Sequence, residues 1–300
     1  MKSKQIQNSK TKMRAFAVLI WHFGLGREFS SGGTMKISIV TDEISNDVDT
    51  AFELGKDWGI EYFELRGMNG KRVPDLSDAE IGTLLDRKEY YGAKIAALSP
   101  GLFKIPLDRD LIRLHMEERL PQTFQLAERL GTKLILVFGI IKPTENEDVE
   151  GYPAQVVEVL SEAAGKASEA GITLLLENEH ICWADTGART ARIVREVGSD
   201  HLRVNWDPCN AYVAGEQKPF PNGYECVRDL VNHLHIKDTR KRDGGFEQTI
   251  VGEGDLLWKE QLQALGRDSF DGFYTIETHF GPRVKRSRQC VQALRKMMSG

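Results

Sequence analysis

From Met35 onward, short apolar runs alternate with longer amphipathic stretches at a steady cadence. The runs are KISIV (36–40), EYFEL (61–65), KIAALS (94–99), KLILVF (133–138), ITLLLE (172–177), LRVNW (202–206), NHLHIK (232–237) and FYTIE (273–277). Each has the length and the bounding polar residues of a buried strand. Between them, VDTAFELGKDWG, SDAEIGTLLDRKEYYG, RDLIRLHMEERLPQTFQLAERLG, YPAQVVEVLSEAAGKASEAG, TARIVREVG, a short segment near 223–231 and DLLWKEQLQALG carry helical spacing, and a closing helix runs from about Val284 to Met298. Gly59, Gly92, Gly131, Gly171 and Gly198 stand just before strands, where a helix ends in a left-handed turn that a residue with a Cβ avoids.

Eight successive βα units predict an α/β fold, the (β/α)8 or TIM barrel, occupying residues 35–300 as one domain. A doubly wound sheet also alternates, but it wants a glycine-rich phosphate turn after its first strand. TDEIS follows the first strand here. In a barrel of this kind the chemistry sits at the C-terminal ends of the strands, so those ends are where site residues are sought.

Residues 1–34 stand apart. MKSKQIQNSKTKMR is polar and basic and AFAVLIWHFGLG is apolar, the order found in a signal peptide, yet His22 interrupts the apolar run and REFSSGG replaces a small-x-small cleavage site. The run is also too short to span a bilayer, which takes about 20 residues. MKISIV reads as the natural start of the first strand, so residues 1–34 are expected to form an extension outside the fold, with secretion the minority reading and a cytoplasmic location expected. Cys182, Cys209, Cys226 and Cys290 show no paired spacing and no CxxC, which fits packing roles in a reducing compartment. With 40 basic and 44 acidic residues and a net charge of -4, nothing electrostatic favours nucleic acid, and no membrane partner is expected. The expected partner is a small molecule; a homo-oligomer stays open.

Four strands in succession run apolar and then reach a residue able to hold a metal: ITLLLE ends at Glu177, VNWDPCNAY places Asp207 before Pro208, VNHLHIKD contains His235, and FYTIE ends at Glu277. Strand alternation puts Leu175 and Thr173 on the same face as Glu177, Asn205 with Asp207, His233 and Lys237 with His235, and Thr275 and His279 with Glu277. Taken singly, a strand-end glutamate is an ordinary salt-bridge partner, an inward histidine an ordinary core residue, and an aspartate before proline an ordinary turn. Taken together at corresponding strand ends, they form a constellation. Three carboxylates and an imidazole suit a divalent ion, Mn²⁺ first, with Co²⁺, Mg²⁺ or Zn²⁺ also served.

The segments LLLENEH, VNWDPCNAY, HLHIKDTR, VGEGDLLW and YTIETHF resemble the xylose isomerase-like superfamily of sugar and sugar-phosphate isomerases and epimerases. The opening ISIVTDEISNDVDTAFELGKDWGIEYFELRG is similar to that family's first βαβ unit, so the resemblance covers residues 35 to about 295. It implies a metal held by Glu177, Asp207, His235 and Glu277, with His235 preferred to His233 because the family's ligand sits just before the I/V/L-x-D part of its strand. It implies that Glu177 and Glu277 act as base and acid on a small carbohydrate, a ketose or sugar phosphate, removing a proton next to a carbonyl through an enediolate whose charge the metal offsets. It also points to Asn210 and Arg240 as substrate contacts; Glu179, His180, Lys104 and Lys237, near strand ends, are expected to contact hydroxyls, and the long loop from Asp238 to Gly254, with Gly244, Gly245, Gly252 and Gly254, to form a mobile lid.

Other functions share this scaffold. The same α-proton removal begins elimination, so a lyase or dehydratase acting on a keto-sugar, a keto-inositol or a 3-oxo-glycoside is the alternative. Apurinic-site endonucleases of this fold need further histidines at the ends of the second and third strands. LRGMNG and LSPGLFK stand there, and the chain has no basic surplus to hold phosphates. A non-catalytic sugar-binding barrel would leave all four ligand-type residues without a purpose.

Overall fold

The computed structural model describes residues 35–143 and 151–299; the extension expected at 1–34 lies outside them. Eight strands build the barrel: Lys36–Val40 (β1), Tyr62–Leu65 (β2), Lys94–Leu102 (β3), Leu134–Phe138 (β4), Thr173–Glu177 (β5), Leu202–Trp206 (β6), Val231–Ile236 (β7) and Phe273–Ile276 (β8). They are parallel, each pairs with its neighbours in sequence, and β1 also pairs with β8, so the sheet closes into the expected barrel. Among the described residues no helix is long and apolar enough to cross a membrane.

The amphipathic pattern explains the layers. Helical apolar faces pack on the outer faces of the strands in one large core that includes Phe52, Phe63, Trp206, Tyr224 and Trp258, while Ala97, Leu136 and Leu175 form a small separate cluster inside the barrel. Most barrels fill that interior with branched apolar side chains. Here Ser38, Glu64, Asn205, His233 and Thr275 are fully buried instead, so the floor beneath the strand ends is polar.

The glycine punctuation places the helix ends. Gly92, Gly131, Gly171 and Gly198 are left-handed caps, with φ of 68°, 77°, 64° and 64°, and Gly59 has φ 72°. Two elements differ from expectation. The strand expected to end at Ser99 runs on to Leu102, with its register against β4 shifting between Leu98 and Leu102; Pro100 offers no N–H to the ladder there. The long helix keeps its length, Arg109–Leu130, but contains a π-turn at His115–Arg119. Pro121 cannot donate back to the Glu117 carbonyl, and a wider turn accommodates that loss.

The stretch expected as a lid is also more structured than a glycine-rich loop suggests. Asp238–Arg242 and Gly245–Thr249 pair as an antiparallel hairpin. Its base is tied by the Asp238 carboxylate, which accepts from the backbone N–H groups of Thr239, Gly252, Gly254 and Leu256. Phe246 on the hairpin meets Tyr212 edge to face, ring centres 5.5 Å apart.

Two helical glycines provide a test of the packing. Gly165 is exposed with nothing near its missing Cβ, whereas a Cβ on Gly187 would strike the backbone carbonyl of Gly223. Gly165→Ala is expected to stabilise the fold by about 0.5–1 kcal/mol, and Gly187→Ala to destabilise it by about 1–3 kcal/mol. Urea unfolding of the two variants measures both; equal effects would show that the contact at Gly187 is relieved without cost.

Candidate metal centre

The four ligand-type residues come from adjacent strands. Glu177 ends β5, Asp207 follows β6, His235 lies one residue from the end of β7, and Glu277 follows β8. One potential ligand atom from each lies within 4.8 Å of all the others, and all four residues are buried. Among the described residues a second group of this kind, Glu64, His233 and His235, adjoins it and shares the imidazole.

Each side chain is aimed by its surroundings. Asp207 caps the helix Pro208–Val213: its Oδ1 accepts the Asn210 N–H at 2.9 Å. The turn reading and the ligand reading therefore hold together, because Oδ2 remains to face Lys237 Nζ at 2.7 Å and His235 Nδ1 at 4.0 Å. Asn178 fixes the Asp207 backbone from both sides, donating to its carbonyl at 2.7 Å and accepting its N–H at 2.8 Å. His235 turns Nδ1 to Glu277 Oε2, 3.1 Å, and Glu177 Oε1, 3.3 Å, and turns Nε2 to Glu64.

The expected substrate contacts divide. Asn210 donates to Glu177 Oε1 at 3.1 Å and Lys237 reaches Glu277 Oε2 at 2.9 Å, so both belong to the group. Lys104, Glu179 and His180 form a neighbouring cluster, with Lys104 Nζ 2.6 Å from one Glu179 oxygen and His180 Nδ1 2.7 Å from the other. Arg240 is not brought in: its guanidinium donates to the Glu253 carbonyl within its own loop.

Strand-end logic applied only to the last four strands misses the opposite wall. Arg66, just past β2, donates to Glu277 Oε1 at 2.7 Å, Glu43 Oε1 at 2.9 Å and Asp42 Oδ1 at 3.0 Å. His279 Nε2 lies 2.8 Å from Glu277 Oε1, and its backbone N–H donates to Glu43. A cavity of about 500 Å³ lined by Glu43, Arg66, His279, Phe280, Gly281 and Arg283 opens beside them. TDE after the first strand and LRG after the second were the signals.

Charge follows burial and neighbours. Burial pushes Asp207 up to about 6, with Glu177 and Glu277 adding to the rise and Lys237 and His235 opposing it. Glu277 moves the other way: burial would raise it, but Lys237, His279 and His235 hold it well below the usual carboxylate range. Burial would likewise depress Lys237, and Asp207 and Glu277 raise it instead. Glu64 is held down to about 2, burial being outweighed by His235 and His233. The group is thus a nest of carboxylates whose charge is shared among a lysine, an arginine and an imidazole.

Residues 52–297 match the family described as the xylose isomerase-like TIM barrel. No curated protein matches the chain in sequence. Solved structures similar in fold include the probable 3-DHS dehydratase AsbF involved in petrobactin synthesis from Bacillus anthracis, 20% identical with TM-score 0.69, covering 87% of this chain and 99% of that one. Another is 3-keto-D-glucoside 4-epimerase from E. coli, 17% identical with TM-score 0.68, covering 88% and 100%. A third is a xylose isomerase-like TIM barrel protein from Mycobacterium smegmatis in complex with magnesium, 16% identical with TM-score 0.66, covering 84% and 88%. With the barrel, the strand-end group and the match over most of its length, the chain belongs to the xylose isomerase-like TIM-barrel family.

Proposed function

We propose that this protein is a divalent-metal-dependent isomerase or epimerase of a ketose or sugar phosphate, acting by proton transfer at the carbon next to a carbonyl. The observation that carries the reading is the convergence of Glu177, Asp207, His235 and Glu277, one donor atom each, within 4.8 Å at the ends of four adjacent strands. The donor set fits a hard or borderline divalent ion, Mn²⁺ first. Asp207 Oδ2 is buried and accepts no hydrogen bond of good geometry, although the Lys237 ammonium stands beside it at 2.7 Å. An ion held by these four residues would supply positive charge where negative charge develops on the substrate oxygen.

The remaining work falls to the side chains. Glu177 and Glu277 come from β5 and β8, with β6 and β7 between them, so the two carboxylates flank the group. One removes the proton α to the carbonyl and the other returns a proton to the opposite face or to the adjacent carbon. Lys237 and its neighbours keep Glu277 ionised. Asn210 orients Glu177 through Oε1. In this reading Lys104, Glu179 and His180, paired with one another, meet substrate hydroxyls.

Elimination is the second reading, supported by the likeness in fold to a probable dehydratase as well as to an epimerase. Incubating the protein and Mn²⁺ with ketoses, their phosphates, a keto-inositol and 3-oxo-glycosides in D₂O separates the two. Product of unchanged connectivity, bearing deuterium at the α-carbon, is expected; loss of water or aglycone would replace isomerisation by elimination. Chelation is expected to abolish turnover and added Mn²⁺ to restore it, and full activity in metal-free protein would sink the metal assignment. Glu177→Gln and Glu277→Gln should each lower turnover by about 10²–10⁴-fold, and a Glu277→Gln protein that still exchanges the α-proton at the normal rate would place the base elsewhere.

A further inference from the structure

We infer that Glu64 is a positioning residue for His235: from β2 it reaches through the barrel interior, accepts the His235 Nε2–H, and so leaves Nδ1 of that ring free to serve the strand-end group. This rests on the proposal that His235 is a metal ligand. Glu64 is fully buried, and its two oxygens lie 3.2 and 3.1 Å from His235 Nε2. In the barrel order β1 and β8 stand between β2 and β7, so the contact crosses the interior and is not a neighbouring-strand pair.

A neutral imidazole carries its proton on one nitrogen, and a metal takes the lone pair of the other. On the site side, Glu277 Oε2 and Glu177 Oε1 lie 3.1 and 3.3 Å from Nδ1. Both are acceptors, and alone they would draw the proton onto Nδ1, where it blocks ligation. Glu64 supplies the competing acceptor on the far side of the ring. Holding the ligand's second nitrogen in this way fixes its tautomer and its orientation together.

Glu64 is itself held. Its Oε2 lies 3.0 Å from His233 Nε2, and that nitrogen lies 2.8 Å from Thr275 Oγ1. Thr275, His233, Glu64 and His235 therefore form one polar column rising through the barrel floor to the site. A buried carboxylate is costly unless it is paired and hydrogen-bonded, and a leucine would fill the same interior space at no such cost. The column accounts for a charge placed where barrels ordinarily put an aliphatic side chain.

The test is Mn²⁺ binding by calorimetry on wild type, Glu64→Gln, Glu64→Leu and Thr275→Val, together with ¹⁵N NMR of the His235 ring in Zn²⁺-loaded wild type. Both Glu64 variants should raise the Mn²⁺ Kd by about 10- to 100-fold, while Thr275→Val, whose hydroxyl bonds to His233, should raise it by a clearly smaller factor. In wild type, NMR should show Nδ1 ligated and a proton retained on Nε2. Unchanged affinity in the Glu64 variants, an equal loss in Thr275→Val, or ligation through Nε2 would each overturn the inference. The NMR result decides it even where a Glu64 variant fails to fold. Wild-type protein that binds no divalent ion would instead defeat the metal reading itself.

Discussion

Four carboxylates, those of Glu64, Glu177, Asp207 and Glu277, are buried together at and just beneath the mouth of this barrel. Two like charges 4 Å apart repel by about 4 kcal/mol at the effective dielectric of a protein site, so such a group cannot assemble unless cations are interleaved with it. Lys237 stands between Asp207 and Glu277 and Arg66 between Glu277 and the acidic pair Asp42 and Glu43, while the His235 ring lies between Glu64 and the Glu177–Glu277 pair. Every one of these cations lies on or next to a strand. The barrel's register is therefore also the spacing of its charges, and a slip of one residue would turn an entire set of partners to the helical layer.

That dependence explains why so much of the surrounding backbone is tied down. Asn178 brackets Asp207, the first turn of the following helix takes its spare oxygen, and Asp238 gathers the returning loop onto the residue after Lys237. Phe103, Ile140 and His279, which follow β3, β4 and β8, have φ of 61°, 60° and 57°. Left-handed backbone at residues with a side chain costs roughly 1–2 kcal/mol each. Such conformations persist only where the surroundings over-determine them, and they collect at the functional end of a scaffold. The Phe103 N–H is held by the buried ring of His115 at 2.9 Å, from within the π-turn of the long helix.

The fold was legible because barrel strands and their helices differ in period, and because five glycines mark where a helix must stop. The strand-end group was legible because its four members occupy equivalent positions in consecutive units. What escaped has a common cause: it depends on which side chains meet across the barrel, and no local pattern records that. Glu64 sits in EYFEL like any alternate polar residue of a strand, and only the closed sheet brings it against His235. Arg66 looks like a solvated residue after a strand until Glu277 and Glu43 are seen to share it. Arg240 differs in the opposite sense, since a basic residue in a loop need not turn its head inward, and here it donates to the Glu253 carbonyl.

The four N–H groups gathered by the Asp238 carboxylate make a backbone clasp directly after Lys237. They close the base of the hairpin independently of its tip, at the point where the chain leaves Lys237. Beyond it the chain pairs with itself from Asp238 to Thr249 and turns at Gly244 and Gly245. The end of β7 thus has an anchor of its own, made of backbone groups on the far side of the hairpin, and the placement of Lys237 does not rest on the hairpin's turn.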